Sequence, residues 1–383
     1  MDAMRIIGGR VLLPEEDRTA DLLLVDSLIG AVDPDEVYGS TFDARGLLVL
    51  PGIVDIHGDA FERQLQPRPG VGFPPDIALV DTETQLLANG ITTAFHGVTL
   101  SWEPGLRSLD TWRTLLSALN ARSWTCDMRI HLRWEAYSLH ALDQALDDIA
   151  AGRVHLLGFN DHTPAILKKI RDPAEGAKYS DRAGMNLPDF RALAERIGAC
   201  ADGVGHARTR MAAAARSAGI PLASHDDATV EMRDDFRELG AHICEFPMAE
   251  EVARGAEAAG DWVVMGSPNV VRGGSHLGWA SAARLAEAGI CNVLSSDYFY
   301  PAMLRAALSL AARGTLTLQQ SWSLVSANPA HAAGLQDRGT IAVGKRADLV
   351  IVDPDRRRPI ATIAAGRVGF LTSSGAERLR SAP

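Results

Sequence analysis

The stretch IVDIHGD (53–59) is a short run rich in β-branched residues that ends on His57 and Asp59. In a strand, side chains repeat with period two, so an imidazole and a carboxylate one residue apart point to the same side. One such pair is as readily a structural hydrogen bond as a metal site. What gives this pair weight is that the pattern recurs along the chain.

Seven further apolar runs follow: TTAFHG (92–97), MRIHLRWE (128–135), VHLLGFNDH (154–162), PLASHDD (221–227), HICEFP (242–247), WVVMGSP (262–268) and CNVLSSD (291–297). Amphipathic segments lie between them, such as IALVDTETQLLANG (77–90), ATVEMRDDFRELG (228–240), AEEVARGAEAAG (249–260) and HLGWASAARLAEAG (276–289), closing on Gly shortly before the next run. Eight βα repeats describe an α/β protein, either a doubly wound sheet or a (β/α)8 TIM-like barrel. The polar residues favour the barrel. His57, Asp59, Glu135, His162, His225 and Asp297 all stand at or just past the ends of runs, where a barrel assembles its active site.

The expected catalytic barrel spans residues 52–335, with a helical insertion at about 163–219 that lies over the mouth as a lid or as a solvated excursion. Residues 1–51 and 336–383 instead carry short strands and turns, and are expected to pair into one discontinuous β-sandwich flanking the barrel.

The 383 residues are 46% hydrophobic, enough for a sizeable core, and carry a net charge of −10, which disfavours nucleic acid and anionic membrane as partners. The N-terminal segment lacks the pattern of a signal peptide, and no run of about 18 apolar residues occurs, so a cytoplasmic protein is expected. Cys126, Cys200, Cys244 and Cys291 are scattered without CxxC spacing and read as reduced core residues.

Six strand-end ligands without a thiolate suit one or two divalent ions, Zn2+ first, with Mn2+, Co2+ or Ni2+ also compatible. Glu135 is the expected bridging carboxylate, and Asp297 the expected general base or proton shuttle. For an anionic substrate, VVRGGSH (270–276) offers a cradle: Gly273, Gly274 and Ser275 are read as opening a helix whose free N–H groups face an anion, flanked by Arg272 and His276. Arg68, Arg63 and Arg133 are further phosphate contacts or plain salt bridges. His96, His242, Trp134 and Trp279 read as core, and Tyr298 as a residue able to stack on a sugar.

LPGIVDIHGD (50–59) and GTIAVGKRADLVIVD (339–353) resemble the opening and closing motifs of the amidohydrolase superfamily. The usual first-strand motif there is HxH, and this chain has HxD. With SHDDAT (224–229), MGSPNVVRGGSH (265–276) and LSSDYFYPAML (294–304), the chain is similar nearly end to end to the alpha-D-ribose 1-methylphosphonate 5-triphosphate diphosphatase family of the carbon–phosphorus lyase pathway. The resemblance implies a binuclear-metal hydrolase with ligands His57, Asp59, Glu135, His162, His225 and Asp297. It implies a small phosphorylated sugar phosphonate as substrate, pyrophosphate and a 5-phosphate as products, and is compatible with a homo-oligomer. A hydrolase of a cyclic amide or amidine would use the same centre, and a catalytically inert barrel would be expected to have lost ligands.

Overall fold

The computed structural model describes residues 3–35, 38–68, 70–274 and 280–381. All eight apolar runs are strands. In chain order they are Ile53–Gly58, Ile91–Leu100, Asp127–Glu135, Leu156–Asn160, Leu222–His225, Ala241–Glu245, Trp262–Gly266 and Val293–Ser295, forming a parallel sheet in consecutive order. Gly58 bridges Asp297 in parallel, which brings the last strand back to the first. The fold is therefore the (β/α)8 barrel rather than the doubly wound sheet. Its strands read as continuous apolar runs because parallel strands are covered on both faces. Val54, Ile56, Phe95, Leu156, Ala223, Ile243, Val264 and Val293 form one buried cluster, and a second, larger cluster joins strands to the surrounding helices.

The helices stop where glycine allows a left-handed residue: Gly90, Gly240, Gly260 and Gly289 have φ of 81°, 95°, 82° and 74°. The segment 276–289 yields helix only at Ala282–Glu287, and residues 275–279 lie outside the described residues. A helix absent from the sequence reading, Ser267–Arg272, follows the seventh strand directly, with a proline in its first turn and Gly273 (φ 83°) as its cap.

Both ends of the chain meet in a second, nine-stranded sheet. Its junction is the antiparallel pairing of Leu48–Pro51 with Leu349–Asp353. Here the two faces of one strand serve two cores: Leu349 and Ile351 pack with Ile6, Leu22, Phe42 and Val49, whereas Val350 and Val352 pack with the barrel's outer layer. Trp322 Nε1 donates to the carbonyl of Pro51 at 3.0 Å. Arg338 donates to Thr93 and Asp127 at 2.8 and 2.6 Å, fixing the barrel's second and third strands to the segment that leads into the closing strands.

Beyond the fourth strand, residues 163–219 form the helices Thr163–Lys169, Pro173–Ala183, Leu187–Gly198 and Val204–Ser217. The first three share a satellite core of Trp102, Ile166, Ile170, Ala183, Phe190 and Ala194. Cys126, Cys244 and Cys291 are buried and unpaired, but Cys200 is exposed, because it follows the last turn of an insertion helix rather than entering a core. His242 is not a core residue either: its side chain is 68% exposed beside Asp261, on the outward phase of the sixth strand.

Candidate active site

Three strand ends share an unusual backbone conformation. Asp226, Phe246 and Asp297, after the fifth, sixth and eighth strands, have positive φ of 59°, 53° and 55°. Such residues cost of order 1–3 kcal/mol each when they are not glycine and cluster at functional sites. Here they turn the chain sharply across the mouth. The cavity beneath is lined by His57, Asp59, Arg133, His225, Asp226 and Asp297, with Phe246, Asn269, Arg272, Gly274 and Tyr298.

Of the expected ligands, His57, Asp59, His225 and Asp297 converge on this cavity. The rings of His57 and His225 stack at 5.3 Å, and Phe246 packs edge-on against both. His162 stands beside them, its Nε2 3.8 Å from Asp226, whose other oxygen is 3.2 Å from His225 Nδ1. Both oxygens of Glu135 are engaged by protein groups. Its Oε1 accepts from the amides of His162 and Thr163 and from the Thr163 hydroxyl, and its Oε2 faces His162 Nδ1 at 3.1 Å. The carboxylate thus anchors the loop that carries His162 and fixes the orientation of that ring.

The third strand alternates cleanly. Ile130, Leu132 and Trp134 enter the outer core, while His131, Arg133 and Glu135 occupy the opposite phase, all of them buried. Arg133 is a central feature that the sequence reading left as one arginine among several. Its guanidinium reaches Asp59 at 3.4 Å and His225 Nε2 at 3.0 Å. Arg63 and Arg68 are exposed, and neither lines the cavity.

The glycine cradle differs from its expected form. Gly273 and Gly274 end the Ser267–Arg272 helix, with their amides bonded back to Val270 and Asn269, so the two glycines close a helix rather than open one. Proline starts this helix earlier than the sequence reading placed it. Arg272 and Gly274 nonetheless border the cavity, and Arg272 donates to the Tyr298 hydroxyl at 3.3 Å. Ser275, His276 and Trp279 lie outside the described residues.

Burial dominates the electrostatics. It lifts Asp59 to about 6 against the pull of Arg133, and lifts Asp297 to about 7, with Asp59 adding like-charge repulsion. Burial, helped by Arg133, holds His57 well below its ordinary value and His225 at about 4, so both imidazoles are neutral at pH 7. Burial opposes ionisation of Asp226 too, yet His225 and His162 overcome it and hold that carboxyl far below the usual range. Neutral imidazoles and ionised carboxylates are the forms that bind a cation. The donor set passes a direct test of fit: His225 Nδ1 is buried without a hydrogen-bond partner among the described residues, and His162, His225 and Asp226 each offer a ligand atom, all within 4.8 Å of one another.

His131 and Glu245 were not singled out in the sequence. Their signals were present, since HLRWE alternates polar and apolar residues and HICEFP carries an acid directly after its apolar stretch. Asp226 was hidden in plain view beside His225. His96 is buried as expected, but neither ring nitrogen has a partner.

A family model described as Amidohydrolase family matches residues 182–368. The alpha-D-ribose 1-methylphosphonate 5-triphosphate diphosphatase of Escherichia coli (strain K12) is 35% identical over 321 residues, 81% of this chain and 84% of that protein. Among solved structures, dihydropyrimidinase from Brevibacillus agri NCHU1002 matches with a TM-score of 0.59 at 16% identity, over 96% of this chain and 94% of that one. N-acetylglucosamine-6-phosphate deacetylase from Pasteurella multocida matches at 0.62 and 13%, over 96% and 99%. At such identities the two structures speak for the fold alone. Barrel, flanking sheet and strand-end residues together define a hydrolase of the amidohydrolase type. The chain belongs to the amidohydrolase superfamily and, within it, to the family of the alpha-D-ribose 1-methylphosphonate 5-triphosphate diphosphatase.

Proposed function

We propose that the chain hydrolyses alpha-D-ribose 1-methylphosphonate 5-triphosphate to the 5-phosphate and pyrophosphate. The observation that carries this reading is the 35% identity to the Escherichia coli enzyme across most of both chains. The cavity supports it, because Arg133 and Arg272 supply positive charge to an otherwise acidic mouth.

The residues that would hold a divalent ion at the mouth are His57, Asp59, His162, His225 and Asp226, with Asp297 beside them, and imidazole donors favour zinc. When bound, such an ion supplies Lewis acidity, raising the acidity of a water and offsetting phosphate charge. The remaining work falls to side chains. Water adds to a phosphorus of the α–β anhydride, the bridging P–O bond breaks, and pyrophosphate departs. Asp297, held near neutrality, takes the proton of the attacking water at its carboxylate. Arg133 and Arg272 hold non-bridging oxygens, and Phe246 keeps the imidazole pair dry on one side.

The test is pyrophosphate release from that triphosphate by metal-replete protein, with a cyclic amide assayed in parallel. Release that chelator abolishes supports the reading. No release, or turnover of the cyclic amide instead, overturns it.

A further inference from the structure

We propose a second, interior cation site, in which His57, His131 and Glu245 hold a divalent metal ion. This deepens the metal-hydrolase reading and rests on it, but it adds two ligands, from the third and sixth strands, that the family resemblance does not supply.

The argument starts from Glu245. Its side chain is fully buried at the end of the sixth strand, and neither carboxylate oxygen has a hydrogen-bond partner among the described residues. A buried carboxylate without donors is among the least favourable features a protein core can carry, so a cation that satisfies it is the natural complement. His57 Nδ1 lies 2.9 Å from Glu245 Oε2, yet this nitrogen too has no hydrogen bond. The distance is short enough, but the N–H direction does not point at the oxygen. Two donor atoms this close and not aimed at each other are arranged like neighbouring ligands around a common ion.

His131 completes the group. It is fully buried, stands edge-on to His57 at 5.1 Å between ring centroids, and its Nδ1 is 3.7 Å from Glu245 Oε1. The ligand atoms of all three residues lie within 4.8 Å of one another. His131 Nδ1 is also 3.2 Å from the Ile56 carbonyl, and binding through that atom would exchange this hydrogen bond for one to the ion. Two imidazoles and a carboxylate are a zinc-binding set. The site adjoins the one at the mouth and shares His57 with it: His57 is stacked on His225, while the His162, His225 and Asp226 group uses none of these three residues. An ion here would turn a buried negative charge into a net positive floor, which suits a polyphosphate above it.

The experiment is metal analysis of the full chain, reconstituted with Zn2+ and dialysed, alongside the absorption spectrum of the Co2+-substituted protein. Glu245→Gln, His131→Asn and Asp226→Asn are compared with the parent. The expected result is one molar equivalent lost in Glu245→Gln and in His131→Asn, with the Co2+ bands of that ion gone, whereas Asp226→Asn retains them. If Glu245→Gln fails to fold, His131→Asn carries the test, because it leaves the carboxylate in place. Unchanged metal content and Co2+ spectrum in the soluble variants, or a parent that binds no ion, overturns the proposal. Parent protein that shows this metal dependence but releases no pyrophosphate would sink the substrate assignment and leave the interior site standing.

Discussion

The backbone amide of Asp297 donates to the carbonyl oxygen of His57 at 3.0 Å, and the Asp297 carbonyl accepts from the amide of Asp59 at 2.9 Å. The seam that closes the barrel therefore runs through residues whose side chains form the cavity. At Asp297 the closure uses main chain, which leaves its carboxylate free for chemistry.

Asp297→Asn follows directly. Asparagine tolerates the left-handed conformation at φ 55° and preserves both seam bonds, so the melting temperature is expected to stay near the parent's. Proton acceptance is lost, and kcat is expected to fall by about 10²–10⁴-fold with little change in KM. Loss of activity that merely tracks unfolding in a thermal melt would contradict the assignment.

Arg133 gives the opposite division between kcat and KM. Substitution by Met keeps much of the stem but removes charge facing Asp59 and His225, and a triphosphate should bind at least tenfold more weakly, which is about 1.4 kcal/mol. Steady-state kinetics on the triphosphate decide this. An unchanged KM would remove Arg133 from the binding surface.

Glu135 is expected to behave as an anchor. Glu135→Ala strands two amides and a hydroxyl, and the loss of stability should be about 2–5 kcal/mol in chemical denaturation. A variant as stable as the parent, with metal affinity alone reduced, would restore Glu135 to the role of direct ligand.

The link between barrel and terminal segments carries a pH signature. Burial raises the pKa of Asp127, but Arg129 and Arg338 outweigh it and leave the carboxyl below its ordinary 3.8. A folded value under the unfolded one means that the stabilisation is complete above about pH 4 and fades as pH falls through the depressed value. Asp127→Asn should therefore destabilise the protein at pH 7, with the difference from the parent shrinking in acid. Parallel stability curves over that range would show that the ion pair contributes nothing.

The barrel was legible because both faces of its strands are buried, which turns each into an unbroken apolar run, and because polar residues terminate those runs. The terminal sheet was legible from short strands at both ends, although the pairing of Leu48–Pro51 with Leu349–Asp353 is a matter of three dimensions. Local reading leaves the role open where one residue type serves two. An acid at a strand end is equally a ligand or an anchor, and the four groups around Glu135, which speak for the anchor, come together only in the fold. In WVVMGSP (262–268) the proline that starts a helix stands at the end of an apolar run, so the local reading places the helix start later, at Gly273. Glu245 and His131 escaped notice because their significance lies in the absence of hydrogen bonds, a property no sequence displays.

The two-faced strand pair has a consequence for synthesis. Residues 48–51 leave the ribosome long before their partner, 349–353. Throughout translation the half-finished chain bears an apolar edge whose cover has yet to be synthesised, and domain-by-domain folding gives it no earlier partner. This order of manufacture makes folding of the nascent chain dependent on residues 349–353, and truncations that spare every cavity residue but remove 349–353 should emerge as chaperone-bound or aggregated chains.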